Sequence, residues 1–94
     1  MENKQVEVYS ETSNMAVVRM PGRRFPGSVI QGDSLSILCD LATSLHQRSI
    51  KTRDNEFIGE AQELKELLEG RIRHYEVALK THGIDLPYTP KLTT

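Results

Sequence analysis

The sequence predicts an α+β fold: a small antiparallel β-sheet of two to three strands packed on a two-helix hairpin with a long C-terminal helix. Three observations lead there. Polar–apolar alternation is confined to the beginning of the chain. From Leu35 to Leu79 the apolar residues recur at spacings of three and four. Between these regions the chain is interrupted by two Pro-Gly steps, Pro21-Gly22 and Pro26-Gly27, which fix the backbone path.

Each element follows from local chemistry. Residues 5–9 (Gln-Val-Glu-Val-Tyr) alternate with the period of a half-buried strand. The polar run 10–14 is a turn, and residues 15–20 form a second, more apolar and hence more central strand, closing a hairpin. Residues 28–31 can add a short third strand. Asp33 or Ser34 is suited to cap a first helix over 33–47. In that helix Leu35, Leu38, Ala42 and Leu45 are read as the buried stripe, with Ile37 and Leu41 to its side. Asp54 or Asn55 caps a second helix over 54–83, and Gly83 followed by Pro87 stops it. Its stripe is read as Phe57, Ala61, Leu64, Leu68, Ile72, Tyr75 and Leu79. Acids crowd its first half and bases its end, which complements the helix dipole. The tail, 84–94, is expected to be pinned at Leu86 and Tyr88 and to fray after Pro90.

With 94 residues the chain is read as one domain, 1–31 being its β-rich part with the Pro/Gly loop. A net charge of −1 argues against a general nucleic-acid coat or an acidic membrane partner. No apolar run approaches the roughly 20 residues that span a bilayer. The amino terminus has no signal-peptide character. The single cysteine, Cys39, cannot close an internal disulfide, so a soluble cytoplasmic protein of a bacterium, a phage or a similar source is expected. A helix over 54–82 would measure about 43 Å, against a diameter near 32 Å for a compact domain of this size. It must bend, with Gly70 a candidate, or project. Ile37, Leu41, Leu67 and Val77 lie off the main stripes, and a homo-oligomer is the simplest outlet for them.

The chemistry-bearing residues point to binding. Arg19, Arg23 and Arg24 fall close together with no acid among them. Guanidinium forks of this kind hold phosphate or carboxylate. Pairing with Asp33 or with the acidic half of the second helix is the structural alternative. Phe25 is read first as a plug for a small core, and otherwise as a group that stacks on a ligand or fills a partner's pocket. Gln31 and Ser34, at the start of the first helix, complete the candidate set, although Asp33 places a negative charge where an anion would sit. Neither nucleotide-binding glycine fingerprint is present. His74 and His82 lie about 12 Å apart along one helix, too far to share a metal ion. Neither a metal site nor a cofactor is expected. Cys39 sits among apolar helical neighbours as an inert thiol, and Ser34 and Ser36 lack a flanking base.

Three blocks resemble the signature of a small uncharacterised bacterial protein family: Val6 to Ser10, Pro21 to Leu35 (P-G-R-x-F-P-G-x-x-I-Q-G-D-S-L), and Gly83 to Tyr88. The resemblance covers nearly the whole chain. It implies a free-standing single-domain protein and supplies no activity. The function expected is therefore non-catalytic binding, through the Arg-Arg-Phe loop, of an anionic small molecule such as a nucleotide, or of an acidic protein surface. The alternative is an immunity- or antitoxin-like, or phage anti-defence, inhibitor that acts by protein contact.

Overall fold

The computed structural model describes residues 1–90 and shows the α+β class: a three-stranded antiparallel sheet followed by two helices, the second one long. The chain forms two compact units, residues 1–31 and the helical segment that begins at Gly32. This division falls where the alternating pattern gives way to helical spacing.

The first unit is a meander of β1 (Glu7–Ser10), β2 (Val17–Arg19) and β3 (Gly27–Ser28), in the order β1-β2-β3. β2 is central, and its residues are half-buried. Glu7 stands opposite Arg19 and Val8 opposite Val18, and a bulge at Tyr9 then shifts the register so that Ser10 meets Val17. The turn between β1 and β2 closes with the Met15 N–H donating to the Thr12 carbonyl, and Asn14 takes the left-handed conformation at φ 64°. The third strand lies earlier than residues 28–31: β3 pairs Gly27 and Ser28 with Val18 and Val17, and the Val29 N–H extends the ladder to the Ala16 carbonyl.

The second unit is an antiparallel pair of helices, α1 (Gly32–Ile50) and α2 (Asn55–Thr81). α1 starts one residue before 33 and runs three beyond 47. Asp54 caps α2, its carboxylate accepting from the Glu56 and Phe57 N–H groups at 3.1 and 3.2 Å. Asp54→Ala is expected to cost about 1 kcal/mol in urea unfolding, and an unchanged midpoint would show the cap to be idle. The other end closes as expected from Gly83. Its φ is +66°, its N–H donates to the Lys80 carbonyl, and the Ile84 N–H reaches back to Leu79. That pair of bonds is the Schellman arrangement, which a left-handed glycine makes possible.

The seam between the helices differs from the stripe expected on α1. The buried positions there are Gly32, Leu35, Ser36, Cys39, Ala42 and Ser49, while Leu38 is 39 % exposed and Leu45 is also largely open. Residues 32, 35, 39, 42, 46 and 49 keep a strict heptad spacing, and small side chains fill most of it. Small residues let two helix backbones approach, which ranks above hydrophobicity in choosing this face. On α2 the expected residues Ala61, Leu68, Ile72, Tyr75 and Leu79 are buried or half-buried, but in the first three turns Phe57 is replaced by Ile58, and Leu64 by the half-buried Lys65. The core is Leu35, Cys39 and Ile72, with Leu68 and Tyr88 packed against it. The Cys39 thiol donates to the Leu68 carbonyl at 3.4 Å. Ile72 and Ser49 are fully buried. The Ser49 hydroxyl donates back to the His46 carbonyl at 2.6 Å, so its burial leaves no orphan.

The tail returns to this core as expected. Leu86 and Tyr88 are half-buried. The Tyr88 ring stacks on Tyr75 with centroids 6.4 Å apart, and its hydroxyl donates to Glu76 Oε2 at 2.9 Å. Burial, and then the bond to the Glu76 carboxylate, hold the Tyr88 phenol above the ordinary tyrosine range. The expected fraying after Pro90 lies outside the described residues.

Candidate functional site

Backbone geometry shapes the loop between β2 and β3. Gly22 has φ +79°, a conformation that Pro21 before it and Arg23 after it could not share cheaply. The Arg23 N–H donates to the Met20 carbonyl at 3.1 Å and closes the turn. The chain then passes through Arg24, Phe25 and Pro26 into β3, so the loop is tied at both ends to the central strand.

Arg19 leaves the candidate set as a free cation. Its side chain faces Glu7 across the β1–β2 register, Nε donating to Glu7 Oε1 at 2.7 Å while Nη2 pairs with the same oxygen. Its guanidinium also lies 6.0 Å from the Tyr9 ring centroid. The bond to Glu7 and then its charge hold the arginine above its ordinary pKa. The structural alternative, pairing of an arginine with an acid, thus holds for Arg19, but the acid comes from β1 through strand register and not from Asp33 or α2.

Arg23, Arg24 and Phe25 do come together. With Met20 and Val29 they line an open depression of about 640 Å³. The Arg24 guanidinium carbon stands 5.2 Å from the centre of the Phe25 ring. Phe25 is 72 % exposed, which overturns its reading as a core plug. Arg23 also borders a second depression, of about 470 Å³, shared with Gln5, Glu7 and Arg19.

Gln31 and Ser34 are not among the residues that line the loop's depression. Gln31 ends the first unit and is exposed, whereas Ser34 belongs to the helical unit, its N–H donating to Asp33 Oδ1 at 2.8 Å. Asp33 thus occupies the helix start that an anion would need. A further depression of about 560 Å³, not expected from the sequence, lies beside the end of α2 and is lined by Val77, Ile84 and Leu86 together with Arg73, Lys80 and Asp85. The signal for it was Val77, which lies off the main stripe next to an apolar tail.

Among the described residues no three His, Cys, Asp or Glu side chains gather as a metal cluster, and no helix is long and apolar enough to cross a membrane. No curated protein and no solved structure matches the chain. A family model does match, over residues 1–88, which takes in the sheet, the arginine loop, both helices and the Tyr88 clamp: the chain belongs to the family of unknown function DUF6959.

Proposed function

We propose that this chain is a non-catalytic binding protein that presents Arg23, Arg24 and Phe25 to an acidic surface on a partner protein. The observation that carries the reading is the exposure of Phe25 at 72 % beneath the Arg24 guanidinium. An aromatic ring held in solvent with a cation over its face combines apolar area with a carboxylate-binding fork, and arginine is enriched among the residues that carry binding energy at protein interfaces. The depression is open to solvent, whereas small-molecule sites bury most of their ligand. The same openness supports the narrower reading of an immunity- or antitoxin-like, or phage anti-defence, inhibitor that blocks its target by contact. The proposed compartment is the cytoplasm, in keeping with a lone cysteine held as a thiol.

Titration of the labelled protein with two probes tests this: a Glu- and Tyr-rich peptide, and a nucleoside triphosphate at matched ionic strength. The peptide should shift the amides of residues 23–27. The double variant Arg23→Ala, Arg24→Ala should bind it at least about tenfold more weakly. Its unfolding free energy should stay within about 1 kcal/mol of the parent, because exposed charges contribute little to stability. Three results count against the proposal: an unfolded double variant, unchanged peptide affinity, or loop shifts that only the nucleotide produces. The last would return the site to a small anion.

A further inference from the structure

The helix pair has two unlike faces. The Cys39 thiol meets the Leu68 carbonyl, which sets an antiparallel register with Ala42 about level with Lys65. At 3.6 residues per turn, Leu38, Leu41 and Leu45 lie roughly 100° to one side of the α1 seam, and Leu64 and Leu67 lie roughly 90° to the same side of the α2 seam. Antiparallel helices are related by a local two-fold axis perpendicular to their common plane, so equal offsets place both sets on one face of the hairpin. The opposite face carries Asp40, Gln47, Gln62 and Arg73. Leu41 is 57 % and Leu67 63 % exposed.

The geometry points to a second copy of this chain as the occupant of that face, in an antiparallel four-helix arrangement. The face is self-complementary. On α2 the outward heptad line reads Phe57, Glu60, Leu64, Leu67, Arg71, His74. A two-fold axis midway between Leu64 and Leu67 sets Leu64 against the partner's Leu67 and Glu60 against the partner's Arg71. The same level on α1 falls between Leu41 and Ala42, at the middle of its own leucine set, so the one axis also brings Leu38 against the partner's Leu45. Two independent leucine sets and one charge pair thus agree on a single axis. The extent is sufficient as well. The 19 residues of α1 span about 28 Å, and two helices side by side give a width near 20 Å. That is a footprint of about 550–600 Å² per copy, or some 1,200 Å² in total, the lower bound for stable association.

Charge reversal of the full chain tests the axis. Glu60 and Arg71 lie about 16 Å apart along their own helix, too far to pair within one copy, so rescue between them reports on an intermolecular contact. The parent at about 100 µM should scatter light as a species of twice the 10.7 kDa chain mass. Glu60→Arg and Arg71→Glu should each raise the dimer dissociation constant about tenfold or more, and the two together should bring it back to within about threefold of the parent. Leu67→Glu should leave a monomer with unchanged helical circular dichroism. The Arg23→Ala, Arg24→Ala variant should dimerise like the parent, which separates this inference from the binding reading. A parent that stays monomeric overturns the inference. So does a dimer that ignores both single reversals, or one that the double reversal does not restore.

Discussion

Ile72→Ala should lower the free energy of unfolding by about 2–5 kcal/mol, toward the upper end of that range. The side chain is fully buried, and it meets Leu35 and Cys39 across the seam with Leu68 and Tyr88 beside it. Two effects add. Truncation forfeits the transfer free energy of the lost methyl and methylene groups, and it leaves a cavity whose cost depends on how far the walls can close. Here the facing residues on α1 are Cys39, which is small, and Leu35, which is itself held in the buried cluster, so neither is free to fill the gap. A domain of this size has roughly 5–15 kcal/mol of stability in all, so the loss should be visible as a large fall in the urea midpoint at unchanged slope. Ile37→Ala is the control: at 61 % exposure it should cost less than about 1 kcal/mol. Equal losses at the two positions would mean that the seam has been assigned to the wrong face of α1.

Much of this arrangement is legible in the residues because its causes are local. Asp54 and Gly83 mark the ends of α2 through cap chemistry that depends on a few neighbouring atoms. The Ala61-Leu68-Ile72-Tyr75-Leu79 line is legible because hydrophobicity and packing select the same positions there. On α1 they select different ones. Leucines at 38 and 45 are more hydrophobic than Gly32, Ala42 and Ser49, yet the small residues take the seam because they allow close backbone approach. The heptad spacing 32-35-39-42-46-49 carried that signal, and reading by hydrophobicity alone passes over it. In the loop, the grouping of Arg23, Arg24 and Phe25 follows from chain proximity and was legible. The capture of Arg19 by Glu7 depends on strand register, which a bulge at Tyr9 and the length of the preceding turn decide together. The exposure of Phe25 depends on tertiary placement, which no property of the Arg-Phe-Pro triplet determines.

Gly32→Ala is expected to destabilise by about 1–3 kcal/mol, against the gain of up to about 1 kcal/mol that alanine ordinarily brings to a helix. Gly32 is buried at the start of α1, and a methyl group there would overlap the phenol end of the Tyr75 ring. The need is for space and not for an unusual backbone, since the glycines with positive φ are Gly22 and Gly83. Tyr75 cannot simply swing away: its ring is half-buried and stacked on Tyr88, whose hydroxyl is tied to Glu76. Displacing it therefore loosens the clamp that holds the tail on the Leu35-Cys39-Ile72 core. The check is a double-mutant cycle read by urea unfolding. In a Tyr75→Leu background the phenol is gone, and Gly32→Ala should become neutral or stabilising, giving a coupling energy of about 1 kcal/mol or more. Near-ultraviolet circular dichroism of the single Gly32→Ala variant should lose tyrosine signal while the helical signal is retained. The same penalty in both backgrounds would show that the ring is not what the glycine makes room for.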